Sequence, residues 1–190
     1  MRRKVFATYT GWIILINVIA FVGFLIMLNS FGEMESISLM ALQPAMILAG
    51  KNLWTFLTSM FMHAGLGHLF VNMISLLFIG SFVERLIGKK RFLIFYFAAG
   101  LGAGLLFVLL AGLFGTSGIG MKLFGSPETF AVGASGAIFG LLGAFAFMEP
   151  FKKVVVPLFM PFIIFLRLPV LYVAIFYASI ETIFAFTPYS

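Results

Sequence analysis

Apolar runs long enough to cross a bilayer recur along this chain, and they constrain its fold more than anything else in it. Crossing takes about 20 residues of helix. Five such runs stand out: Gly11 to Leu28, Phe56 to Val83, Phe92 to Phe114, Val132 to Met148, and Pro169 to Phe186. The chain is 63% hydrophobic and 9% charged, whereas a soluble domain carries about 25% charged residues. The expected fold class is therefore an all-α polytopic membrane protein, a single domain over residues 1–190. Phe151 to Leu168 is equally apolar but carries Pro157 and Pro161 and runs into Pro169. Proline at that density opposes a continuous helix, so an extended or interfacial connection is expected there.

Charge orients the spans. With the N-terminus in the cytoplasm, all of the 12 basic residues except Lys51 and Lys122 fall on the cytoplasmic side. That asymmetry follows the positive-inside rule. The net charge of +6 is then a topological signal and a means of meeting anionic lipid, not a nucleic-acid footprint. Arg2, Arg3 and Lys4 precede an apolar run with no small-residue cleavage site, so an uncleaved first helix is expected. The plasma membrane of a prokaryote fits this topology. No cysteine is present, which excludes disulfides, thiolate metal sites and cysteine nucleophiles.

Polar side chains inside the apolar runs are the candidates for chemistry, because polar groups in hydrocarbon are costly unless partnered or used. His63, His68 and Asn72 lie in the second run and Ser135 near the start of the fourth. Both runs start on the outer side, which puts these groups at similar depth. His68 and Asn72 are four apart and share a helix face; His63 points elsewhere, nearer the surface. Gly136 and Gly140 form a GxxxG pair, extended by Gly133 and Gly143, and Gly100 and Gly104 repeat the pattern in the third run. Such small-residue faces let helices pack closely. Gly133 and Gly136 also leave backbone N–H groups accessible near a helix start, which suits an oxyanion site. The two histidines lack HExxH spacing and a nearby acid, so no metal site is expected. Ser135 belongs to neither a G-x-S-x-G elbow nor an S-x-x-K pair. Glu84 stands beside Arg85 at the cytoplasmic end and is expected to tether helix ends far from Ser135. Glu181, an acid inside the fifth run, needs a partner or a water cavity.

Taken together, these motifs resemble the rhomboid family of intramembrane serine proteases. The spaced His63, His68 and Asn72, the Gly133-Ala134-Ser135-Gly136 segment followed by Phe139, and Gly80 to Gly88 carry the resemblance, which covers about Leu53 to Phe186. It implies a rhomboid-like helical bundle, with five spans of a six-helix core present here. It further implies Ser135 as nucleophile, with His68, Asn72 and the Ser135 N–H stabilising the oxyanion, and Gly133, Gly136, His63 and Phe139 in support. The implied substrates are transmembrane proteins cut near the outer face of the lipid bilayer, with no metal or organic cofactor; oligomeric state is not implied. The family's base histidine lies on a sixth helix, beyond Ser190. Two explanations stand side by side: a C-terminally truncated protease, or a non-proteolytic relative that binds membrane helices. A third function class, a small channel or transporter, would use Glu181 and the histidine pair.

Overall fold

The computed structural model describes residues 8–159 and 163–186; Arg2, Arg3 and Lys4 lie outside them. Helix α1 (Tyr9–Phe31) begins where the Thr8 hydroxyl accepts from the Gly11 N–H at 3.1 Å. It ends at Gly32, which leads into α2 (Glu33–Met40), followed by α3 (Pro44–Leu48) and α4 (Thr55–Thr58). Helix α5 runs over Leu66–Ile87 and contains one π-helical stretch at Leu76–Gly80. Gly88 separates it from α6 (Lys89–Phe114), which is followed by α7 (Gly118–Phe124) and α8 (Ser135–Met148). Strands β1 (Lys153–Phe159) and β2 (Ile163–Pro169) pair antiparallel, and α9 (Val170–Phe186) follows.

Among the described residues, α1, α5 and α6 are long and apolar enough to cross a membrane, and α8 is a shorter apolar helix. The protein is an integral membrane protein, mostly helical. One boundary differs from the sequence expectation. The second apolar run does not become helical throughout: its first part forms α4 and a turn, and the long helix starts at Leu66. The buried polar side chains Ser59 and His63 lie in that non-spanning part, and Thr55 just before it. The proline-broken connection is extended, as expected, and its two strands pair as a β-hairpin.

Helix α8 is the centre of the bundle. It packs against α6 along its length and also contacts α5 and α9. Small residues set the α6–α8 distance. A Cβ on Gly136 would stand 2.8 Å from the Ala103 Cβ, and one on Gly140 would stand 2.5 Å from the Ala99 Cβ. Gly100 answers from α6, crowded by the Met60 side chain and by Ala137. The other two glycines of the expected pattern behave differently. Gly104 faces Leu42 and Phe56 rather than α8, and Gly143 meets nothing within 4 Å. Large side chains fill the rest: Phe92, Tyr96, Leu141 and Phe145 are fully buried, and Phe82 stacks on Phe145 at 4.3 Å between centroids.

Glu84 anchors α1 to α5. Its carboxylate accepts from the backbone N–H groups of Tyr9 and Thr10, each at 2.9 Å, and from the Thr10 hydroxyl at 2.7 Å. A helix leaves its first N–H groups unpaired and positive, so a carboxylate is the complementary group there. The expected tether at the basic end of the bundle is therefore present, and Glu84 is buried with it.

Candidate functional site

Three segments bring Ser135 to its position. Residues before α8 are held by a two-way backbone bridge between Leu42 and Ala131, with N···O distances of 3.0 and 2.8 Å. The Gly133 N–H donates to the Ser59 carbonyl at 2.8 Å. Ser135 is then the first residue of α8, where backbone N–H groups have no partner within the helix.

Gly133 has φ +116°, a conformation that side-chain-bearing residues rarely adopt. It also lies under the His68 imidazole: a Cβ there would stand 2.9 Å from Cε1 and 3.0 Å from Nε2. Only a glycine meets both demands.

His68 and Asn72 lie on the same face of α5, as their spacing predicts. With Ser135 they line one open cavity of about 350 Å³, whose apolar wall includes Ile138, Phe139 and Leu142. The site therefore joins the second and fourth apolar runs. Two further polar lining residues, Ser75 and Tyr177, were not legible in the sequence. Ser75 lies two turns from His68 along α5. Tyr177 comes from α9 and meets Phe139 edge to face at 6.1 Å; no short motif marks it.

The hydrogen bonds fix the chemical character of each group. The Ala64 N–H donates to His68 Nδ1 over a long 3.5 Å. With Nδ1 accepting, the proton would stand on Nε2, the nitrogen beside Gly133. The Asn72 amide donates one N–H to the His68 carbonyl at 2.9 Å and keeps a second. His63 is fully buried ahead of α5, with Nδ1 3.3 Å from the Phe61 carbonyl. Its ring meets the His68 ring at 5.1 Å, nearly edge-on. Burial, with the neighbouring His68, holds His63 below the ordinary histidine value, which favours the neutral ring. Its Nε2 has no hydrogen-bond partner among the described residues. His63 thus backs His68 and does not line the cavity. Gly136 faces away from the cavity, toward α6, so its contribution is close packing.

A second, smaller cavity of about 190 Å³ touches Ser135 from the α6 side, between Ser59, Gly100 and Gly136. Among the described residues no cluster of three or more His, Cys, Asp or Glu suitable for a metal occurs. Glu181 is on α9, but its side chain is outside the described set.

The sequence model of the Rhomboid domain matches residues 50–190. RHOMBOID-like protein 1 of Arabidopsis thaliana is 38% identical over 104 residues, 55% of this chain and 23% of that protein. Rhomboid protease GluP of Bacillus subtilis is 34% identical over 143 residues, 74% of this chain and 24% of that protein. Inactive RHOMBOID-like protein 8 of Arabidopsis thaliana is 37% identical over 92 residues, 48% of this chain and 22% of that protein. The matches thus span about a quarter of the length of these three relatives. A domain match over most of the chain, on a helical membrane bundle, shows that this chain belongs to the rhomboid family, an intramembrane protease-type family.

Proposed function

We propose that this chain is the core of an intramembrane serine endopeptidase that cuts transmembrane segments of membrane proteins. The observation that carries the proposal is the cavity shared by Ser135, His68 and Asn72. Ser135 Oγ attacks the scissile carbonyl, and a general base takes its proton. The carbonyl oxygen becomes an oxyanion, met by the His68 Nε2–H, the free Asn72 N–H and the Ser135 backbone N–H. Collapse expels the amine, which receives the proton, and water then releases the acyl group from Ser135. Donors aimed at developing charge are typically worth about 3–4 kcal/mol each in the transition state.

Neither His63 nor His68 is placed to serve as that base. A serine hydroxyl needs a base to become an effective nucleophile. Both histidines present are otherwise committed in this reading: His63 is buried behind His68, and His68 is assigned to the oxyanion. Gly133 seats the His68 ring, His63 backs it, and Phe139 with Tyr177 shapes the apolar wall. Substrates with small or helix-breaking residues near the cut suit this cavity, because an intact helix hides its carbonyls.

We assign five spans, α1, α5, α6, α8 and α9, with the basic end of the bundle in the cytoplasm of a prokaryotic cell and the cavity opening outward. The charge asymmetry supports this orientation. The same committed histidines also favour a second reading, in which the domain binds membrane helices without cutting them; one relative is named inactive. A transmembrane reporter co-expressed with the native protein separates the two. Cleavage lost in Ser135→Ala supports the protease, whereas reporter retained uncut by both forms supports the binder.

A further inference from the structure

The β-hairpin between α8 and α9 has no part in the chemistry above, yet its composition is unusual for a connection. From Val154 to Leu166 it carries no charged or polar side chain. Basic residues stand only at its base, Lys152 and Lys153 on one strand and Arg167 on the other, and all three are exposed. Register confirms that both strands start from the same level, with Lys153 opposite Pro169 and Val155 opposite Arg167.

Depth is the second observation. Helix α8 has 14 residues, about 21 Å at 1.5 Å per residue, short of the roughly 30 Å hydrocarbon layer. Its last turn is level with the basic end of α5, where Phe145 stacks on Phe82 at 4.3 Å between centroids. The hairpin base is stitched together just past that end: the Val170 N–H donates to the Lys152 carbonyl at 2.9 Å, and the Leu171 N–H to the Pro150 carbonyl at 3.0 Å. Val154 and Val155 lie against Ser75, Phe78 and Ile79, in the middle of α5. The hairpin thus leaves the bundle near its basic end, level with the last three turns of α5. The Lys152 ammonium reaches back toward the basic face, 5.7 Å from the Phe82 ring centroid, where the Arg85 guanidinium also stands at 5.8 Å. Long basic side chains reach in this way for headgroup level. Glu149 lies 3.8 Å from Lys152 and offsets part of the charge.

We propose that the hairpin is a membrane-interface arm: its apolar strands lie in the leaflet on the basic side, and Lys152, Lys153 and Arg167 hold anionic phospholipid headgroups. A two-stranded hairpin has unpaired outer edges, so it belongs in the interfacial layer, where water still reaches the backbone, and not at the bilayer centre. Pro157 in β1 removes one donor that such an edge would otherwise leave bare.

The absence of cysteine makes a direct test simple. Phe159→Cys, and separately Ile163→Cys, is labelled with the fluorophore NBD and reconstituted in phosphatidylcholine vesicles with or without phosphatidylglycerol. Shallow doxyl-labelled lipid is expected to quench the probe severalfold more than aqueous iodide does. Phosphatidylglycerol is expected to increase that quenching, and Lys152→Gln/Lys153→Gln/Arg167→Gln to abolish the increase. Preferential quenching by iodide would overturn the proposal by placing the hairpin in water. Protection from both quenchers would overturn it in favour of a protein contact. Lipid quenching indifferent to phosphatidylglycerol would overturn the headgroup assignment.

Discussion

The imidazole of His68 rests on the Cα of Gly133, close enough that a Cβ at residue 133 would stand 3.0 Å from Nε2. This contact fixes the distance between α5 and the start of α8, and so between His68 and Ser135. Gly133→Ala would push the ring aside and strain a backbone at φ +116°. Displacing one oxyanion donor should lower the cleavage rate about 100-fold. The check is the initial rate in proteoliposomes beside the melting temperature. A variant that folds and cleaves at the parental rate would show that the contact has no catalytic meaning.

Asn72 tests the same oxyanion site from the other donor. Its amide keeps an N–H after bonding the His68 carbonyl. Asn72→Ala is expected to reduce kcat about 100-fold with little change in KM, since the bond is made in the transition state. A rise in KM alone would move Asn72 from catalysis to substrate binding.

Helix α8 supplies a paired steric prediction. Gly140 lies against Ala99, whereas Gly143 faces open space. Gly140→Val should destabilise the fold by about 1–3 kcal/mol, as overpacking does. Gly143→Val should leave the unfolding midpoint in detergent nearly unchanged. Equal effects would mean that the α6–α8 contact is not set by Gly140.

Glu84 is a stability prediction away from the site. Glu84→Gln keeps one acceptor but loses charge-assisted bonds to Tyr9 and Thr10. The expected loss is about 1–3 kcal/mol, read by unfolding in mixed micelles. Cleavage per folded molecule should stay near the parental value, because Glu84 contacts α1 and not the cavity.

Much of this arrangement was legible in the sequence. Apolar length gave the helices, and the spacing of Gly136 and Gly140 marked a face on which another helix could pack closely. The depth of His68, Asn72 and Ser135 gave their meeting. Apolarity alone could not show that Phe56 to Gly65 turns before α5 begins, because a buried loop and a buried helix share composition. The hairpin was hidden for a related reason: prolines exclude a helix without specifying a strand pairing. Ser75 and Tyr177 reach the cavity through tertiary packing, and neither sits in a local pattern. Gly143 continued the small-residue spacing but points away from the helix interface, so spacing overcounted the contact.

Covalent capture of Ser135 asks whether its hydroxyl is an activated nucleophile. The native protein, in its own membrane, would be treated with a fluorophosphonate probe and mapped by mass spectrometry. An activated nucleophile predicts an adduct on the peptide containing Ser135, lost in Ser135→Ala. No adduct at Ser135, while another serine hydrolase in the same membrane is labelled, would contradict it and leave the domain as a binder of membrane helices.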